Sequence, residues 1–331
     1  MIMSKLALVK KQKLSPQLFR PNIKMEATRS GYGHGLVAAG KADKNVVALC
    51  CDLTDSTKTN FFEVEFPSRF VEVGVAEQNL AGLGAGMAMV GKIPFIASYA
   101  TFSPGRNWDQ VRVSICYQNL NVKIVGAHAG VSVGPDGATH QALEDIAITR
   151  VLPNLTVLAP ADYEEAKKAT IEAAKIKGPV YIRLARSASA IFTTQKSPFK
   201  IGRAEVLTQG TDVTVVASGP LVYQSLLAAN EIKKEVSVEV INCHTIKPID
   251  YKTIIKSTKK TGRVVTVEEH QLNGGLGGAV AEVLTRHYPA PQEFVAMPDR
   301  FGESGKPEQL LAKFGLDKDG IIKAVKRVLK R

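Results

Sequence analysis

Short runs rich in Val and Ile alternate with longer stretches of helical period along nearly the whole chain, and this alternation leaves few folds open. A short apolar run bounded by turns is a strand covered on both faces, and the segments between such runs are the helices that cover it. The first half predicts strands at 46–50, 70–73, 93–97, 122–126, 156–159 and 180–184, with helices at 31–41, 77–90, 107–117 and 163–176. A polar, irregular stretch, SASAIFTTQKSPFKIG, interrupts the pattern after Arg186. The alternation then resumes, with strands at 213–217, 236–241, 263–268 and 294–296 and helices at 221–232, 278–286 and near 321–329. At 331 residues the chain exceeds one ordinary core and suits two domains of about 150 residues. The expected class is α/β, with two three-layer α/β domains whose sheets are mostly parallel. The division is a basic extension at 1–24, a first domain at 25–188, a linker at 189–204 and a second domain at 205–331. In such folds sites form at the carboxyl ends of the strands.

The formal charge of +12 raises the question of a nucleic-acid partner, and its distribution answers it. Eleven of those charges sit at the ends: Lys5, Lys10, Lys11, Lys13, Arg20 and Lys24 before residue 25, and Lys323, Lys326, Arg327, Lys330 and Arg331 after residue 320. The body is nearly neutral and has no basic stripe interleaved with aromatics, so the ends read as a solvated arm and a solvated helix face. Four cysteines, Cys50, Cys51, Cys116 and Cys243, with an adjacent pair in an apolar strand, point to a reducing, cytoplasmic setting. The apolar run LALV is too short for a signal h-region, and no stretch reaches membrane-spanning length.

Two segments carry the strongest chemical signal. RFVEVGVAEQNLAGLGAGMAMVG places Glu77 between a strand and a helix, among apolar and glycine neighbours, which points to a buried carboxylate with a task rather than a dipole-complementing surface acid. The glycines after it resemble a dinucleotide fingerprint only loosely, and close helix packing explains them better. HAGVSVGPDGATHQALED concentrates His128, Asp136 and His140 in a strand-to-helix loop, where turn geometry alone has no use for two imidazoles. Arg29 in ATRSG, Ser56 in DLTDST and Arg186 in IRLARS are each open to a surface reading when taken singly. The histidines show no ligand spacing and no Cys-x-x-Cys occurs, so no protein metal site is expected on this chain. GGLGG at 274–278 fits either a phosphate cradle at a helix start or close packing.

Taken in order, ATRSG, CCDLTDS, VGVAEQN, FIASYATF, HAGVSVGPDGATHQ, GPVYIRLARS and VEEHQLNGGLGGAV resemble the pyrimidine-binding and C-terminal domains of transketolases, over about residues 25–331. The resemblance implies thiamine diphosphate as cofactor and transfer of a two-carbon glycolaldehyde unit from a ketose phosphate to an aldose phosphate. Glu77 matches the carboxylate that hydrogen-bonds N1′ of the aminopyrimidine and promotes loss of the thiazolium C2 proton. Tyr99 and Phe102 match the aromatic wall of the pyrimidine pocket, Leu53 and Val75 the apolar residues that hold the cofactor bent, and Asp52 an acid near the thiazolium. His140 matches the histidine at the donor's reacting oxygens, and Asp136 a reader of a substrate hydroxyl. Arg29, Ser56, His128 and Arg186 match the clamp on the sugar phosphate.

The family's diphosphate and metal motif, Gly-Asp-Gly followed by Asn, is missing from this sequence. The resemblance therefore implies that Mg²⁺ (or Ca²⁺ or Mn²⁺) and the diphosphate are held by a separate N-terminal transketolase subunit, in an α2β2 heterotetramer that has no nucleic-acid or membrane partner. A 1-deoxy-D-xylulose-5-phosphate synthase shares the DG-THQ turn and an aromatic like Phe102, but His128 and DLT-x-S favour transketolase. The β subunit of 2-oxo-acid dehydrogenases has the same size and a separate partner, but a lipoyl acceptor needs no phosphate clamp. A silent regulatory subunit has no requirement for a buried acid.

Overall fold

The computed structural model describes residues 6–331. The first half runs β1 (Met25–Ala27), α1 (Thr28–Ala42), β2 (Val46–Cys50), α2 (Thr54–Thr57), α3 (Asn60–Glu65), β3 (Phe70–Glu72), α4 (Glu77–Met89) and β4 (Ile93–Tyr99). It continues with α5 (Trp108–Gln110, extended by a π-helical segment Val111–Tyr117), β5 (Lys123–Ala127), α6 (Asp145–Arg150), β6 (Thr156–Leu158), α7 (Tyr163–Lys175), β7 (Val180–Arg183) and β8 (Ala188–Ala190). The second half holds β9 (Glu205–Val206), β10 (Val213–Ala217), α8 (Leu221–Ile232), β11 (Val238–Asn242), β12 (Thr245–Lys247), α9 (Tyr251–Thr261) and β13 (Val264–Gln271). It ends with α10 (Leu276–His287), β14 (Gln292–Met297), α11 (Pro307–Lys313) and α12 (Lys318–Val328).

A seven-stranded sheet in the order β12-β6-β7-β5-β4-β2-β3 is parallel except at β12, and a five-stranded sheet in the order β14-β13-β10-β11-β9 is parallel except at β9. Strands such as VVALC and VTVVA are buried at every residue, as expected of sheets covered on both faces. Because β12 comes from the second half and pairs with β6, the first sheet extends past the linker. The linker is itself fastened, since β8 pairs with β1 and Phe192 is fully buried.

The N-terminal segment departs from the expectation of a solvated arm. Leu8 bridges Thr208, Val9 N–H donates to Leu207 O at 3.0 Å, and the Gln12 amide donates to the Glu205 carboxylate at 2.8 Å. Leu18 and Ile23 enter the core of the second domain, and Leu6, Leu14 and Phe19 pack against it. Apolar contact decides the matter: Lys10, Lys11, Lys13, Arg20 and Lys24 remain exposed while the leucines between them are drawn in. Lys5 lies outside the described residues. At the other end α12 behaves as anticipated, with Ile321, Ala324, Val325 and Val328 buried and Lys323 and Lys326 exposed.

Glycine packing is narrower than expected. On α4 a Cβ at Gly84 would meet Ile96 Cγ2 at 2.8 Å, whereas Gly82 and Gly86 face open space. The amides that open α10 are already occupied, because Leu276 N–H and Gly277 N–H donate to the two Glu268 carboxylate oxygens at 2.6 and 2.7 Å. This built-in anion takes the place of the phosphate that GGLGG had left open.

A buried acid pair ties the two halves together. Asp162 caps α7 through Glu165 N–H, and its carboxylate also accepts from Phe192 N–H, Thr193 N–H and the Thr193 hydroxyl. Glu165 accepts from Ala161 N–H at 2.6 Å and from the Asn242 amide at 2.8 Å. Burial first, and the Asp162 charge second, push the Glu165 carboxyl up to about 8. A carboxyl raised in the fold contributes stability below its unfolded value of about 4.5 that is lost as pH rises through about 8. The melting temperature is therefore expected to fall between pH 5 and 8 on this account, and Glu165→Gln to flatten that slope at some cost in stability at pH 5. An unchanged slope in thermal scans of the variant would place the titration elsewhere.

Candidate active site

Most of the candidate residues gather at one edge of the seven-stranded sheet. Asp52 and Leu53 follow β2, Val75 follows β3, Phe102 follows β4, His128 follows β5 and Arg186 follows β7. This is where parallel strands leave a crevice between their connections.

Glu77 opens α4 and is 1% exposed. Ser98 Oγ donates to its Oε1 at 3.2 Å, Arg106 Nη1 donates to its Oε2 at 2.7 Å, and the Asn107 amide donates to its backbone carbonyl at 3.0 Å. A buried carboxylate without such partners would cost several kcal/mol. Arg106 comes from the turn after β4, and its guanidinium carbon lies 4.6 Å from the centroid of the Phe102 ring. Its side chain is 49% exposed, so one Glu77 oxygen is held by a partner that reaches solvent.

The aromatic wall joins Glu77 to the histidines. Tyr99 and Phe102 are near-parallel with centroids 5.9 Å apart, Tyr99 stacks on His128 at 3.8 Å, and His140 stands edge-on to Tyr99 and Phe102 at 6.0 and 5.5 Å. His128 adopts the left-handed backbone region (φ 56), which a non-glycine residue holds only where its surroundings demand it. Burial first, then the charges of Arg29, Arg186 and His140, push its imidazole down to about 3, so it is neutral near pH 7. Burial and the nearby Arg186 also lower Arg29 from its ordinary value. Arg29 Nη1 donates to Ser56 O at 2.7 Å, and Arg186 Nη1 donates to Val133 O at 3.1 Å. Arg29 Nε and His128 Nδ1 are buried without a partner. Two guanidiniums and an imidazole, two of whose polar atoms are unmet, face Asp136 3.9 Å from Arg186 and the more distant charges of Asp55 and Glu26 on Arg29, an arrangement chemically able to accept an anion.

The structure thus links Glu77, through Arg106, to Phe102, Tyr99, His128 and His140 in one chain of contacts, with Arg29, Ser56, Arg186 and Asp136 beside it. Ser56 meets Arg29 through its carbonyl rather than its hydroxyl. Asp52, Leu53 and Val75 are less engaged: the loop is pinned by Glu72, which accepts from Asp52 N–H at 2.6 Å and Gly74 N–H at 2.8 Å, while Val75 is 72% exposed. Sequence reading missed Ser98 and Arg106. A serine inside a strand carries no pattern, but an arginine in the turn directly after FIASYATF was a legible signal that a nearby acid has a partner.

A buried carboxylate, an aromatic wall and a cluster of two arginines and a neutral imidazole thus stand together at the carboxyl ends of the strands. Residues 24–190 match the transketolase pyrimidine-binding domain and residues 202–321 the transketolase C-terminal domain. The chain belongs to the transketolase family, and corresponds to the C-terminal half of its undivided members. A solved structure described as a split-gene transketolase, inactive β4 tetramer, is 46% identical with a TM-score of 0.86, over 92% of this chain and 98% of that one. The 6-deoxy-6-sulfo-D-fructose transketolase subunit SqwH of Clostridium sp. (strain MSTE9) is 39% identical over 95% of this chain and 98% of its own length. Human transketolase is 37% identical over 92% of this chain, which spans 49% of its length.

The pyrimidine-binding domain indicates thiamine diphosphate. The residues fit its pyrimidine end: Glu77 offers a sequestered carboxylate, Tyr99 and Phe102 a ring-sized wall, and Val75 an uncovered apolar face. Among the described residues no three His, Cys, Asp or Glu side chains cluster as metal ligands. No helix among them is long and apolar enough to cross a membrane.

Proposed function

We propose that this chain is the catalytic C-terminal subunit of a two-chain transketolase, which moves a glycolaldehyde unit from a ketose phosphate to an aldose phosphate, as between pentose phosphates. Bound thiamine diphosphate supplies the nucleophilic carbon of the transfer. Glu77 holds and returns a proton at N1′ of the aminopyrimidine, and Ser98 keeps its carboxylate aimed. Tyr99 and Phe102 would hold the pyrimidine ring, Leu53 and Val75 would give the cofactor apolar contacts, and Asp52 would supply an acid beside it. Arg29, Arg186, His128 and Ser56 seize the sugar phosphate, which sets the distance to the reacting carbonyl. His140 donates at the donor's oxygens and Asp136 reads a hydroxyl further along.

The observation that carries this reading is the contact chain from the sequestered Glu77 through Arg106 and the aromatic wall to a cationic clamp in which Arg29 Nε and His128 Nδ1 are unpartnered. The diphosphate and Mg²⁺ (or Ca²⁺ or Mn²⁺) belong to an N-terminal subunit, in an α2β2 complex in the cytoplasm. Two features support that partner: α4 and the Val90 that follows it present Leu83, Met89 and Val90 to solvent beside the bare Gly82 and Gly86, and Tyr117 of the neighbouring π-helical segment is also uncovered. The inactive β4 tetramer of the split-gene relative agrees with a lone chain that cannot turn over. All four cysteines are free and buried, which suits a reducing compartment.

Co-expression with the N-terminal subunit followed by a two-carbon transfer assay tests the proposal. The lone chain is expected to give no transfer and the complex to give it. Transfer by the lone chain, or lipoyl acylation by the complex, would overturn it.

A further inference from the structure

The segment from His128 to Gln141 holds only short 3-10 turns, Val131–Asp136, kinked at Gly134, and Ala138–His140. It contains a left-handed His128 and glycines at positive φ at 130, 134 and 137, and a backbone of this kind keeps one conformation only when its surroundings impose it. Much of what surrounds it comes from the second domain. Glu269 of β13 is 3% exposed, and its Oε1 accepts the Ser132 N–H at 2.5 Å. Its carboxylate lies so close that a Cβ on Gly130 would stand 2.4 Å from it. The Glu269 carbonyl accepts from Arg183 at 2.7 Å, and Arg183 pairs with the buried Asp145 at 2.9 Å, so the acid is anchored on both sides.

Gln141 closes the other end. It is 3% exposed, and its Nε2 faces Val131 O at 3.1 Å, Gly134 O at 3.4 Å and, in the second domain, Glu303 O at 2.9 Å. Ser304 and Pro307 press on Gly137 and Gly134, where added Cβ atoms would come within 2.5 and 3.1 Å. The two side chains thus seize the loop from opposite ends, and the residues between them include Asp136 and His140.

We infer that Glu269 and Gln141 are positioning residues through which the second domain sets the reach of Asp136, His140 and His128 toward the sugar phosphate. This inference rests on the substrate reading proposed above, and gives the second domain a role in substrate recognition although it supplies none of the clamp residues. An off-geometry loop weakens contacts that must be made together, so its loss is read in substrate affinity more than in folding.

The test has two arms. In the lone chain, hydrogen exchange of peptides spanning 129–142 should show protection in the wild type, loss of it in Glu269→Leu and Gln141→Met, and recovery in Glu269→Gln, whose amide oxygen still accepts from Ser132. In the assembled enzyme, the Leu and Met variants should raise KM for the sugar phosphate by about tenfold or more with a smaller change in kcat, and Glu269→Gln should stay near the wild-type KM. Unprotected wild-type peptides, or variants that lose melting temperature while KM holds, would overturn the inference. If Glu269→Leu does not assemble, Gln141→Met decides the matter by itself. A wild-type complex without transfer would refute the transketolase reading, while the exchange arm would still judge the loop.

Discussion

Replacing Glu77 by Gln in the assembled enzyme is expected to lower the turnover number by about 10²- to 10⁴-fold, the range typical of losing a positioned acid–base group. Gln is nearly isosteric and its oxygen can still accept from Ser98, so the fold should survive with little change in melting temperature. What it cannot do is exchange a proton with N1′ of the cofactor. Arg106, which donates to the same carboxylate, is half exposed and loses its partner without being left in a dry interior, so the variant's defect should be chemical and not structural. Turnover within about twofold of wild type would remove Glu77 from the mechanism.

The second large effect concerns the anion clamp. Arg29→Leu or Arg186→Leu is expected to raise KM for a ketose phosphate by about 10- to 100-fold, because a hydrogen bond to a charged group contributes about 1.5–3 kcal/mol. A ketose lacking the phosphate should show little additional loss, and this comparison separates an anion clamp from a general defect. Arg29 Nε and His128 Nδ1, both buried and unpartnered, are the atoms from which the effect is read in advance. Because His128 is held neutral, the two guanidiniums carry the clamp's positive charge near pH 7. Equal losses with phosphorylated and unphosphorylated ketoses would assign the arginines to structure.

Much of this was legible in the residues. Strands such as VVALC, IPFIASY and VTVVA declare themselves by apolar continuity, and Glu77 by its glycine and apolar neighbours, because both signals are local. The three-residue strands MEA, ASA and TIK carry no period at all; they exist because Met25–Ala27 meets Ala188–Ala190, and Thr245–Lys247 meets β6, far away in sequence. The basic N-terminal segment misled for a related reason, since its charges outnumber its leucines in the sequence but the leucines decide where it lies. The helix predicted at 107–117 ends in a π-helical segment, a departure in hydrogen bonding that side-chain periodicity does not register. GGLGG left both a phosphate cradle and close packing open; packing holds, with a Cβ on Gly277 meeting Phe294 at 2.5 Å, and the cradle is filled by Glu268, which precedes the glycines on the neighbouring strand. Glu269 and Gln141 escaped notice because their partners are set by tertiary contact rather than by spacing, whereas Arg106 left a signal in its turn that went unread.

The most direct measurement is deuterium exchange of the C2 proton of thiamine diphosphate in the two-chain complex, quenched in acid and read by NMR. Rapid exchange in the wild-type complex, none above the solution rate with the lone chain, and a loss of about 100-fold or more in Glu77→Gln is the predicted result. Exchange in the Glu77→Gln complex as fast as in the wild type would contradict it.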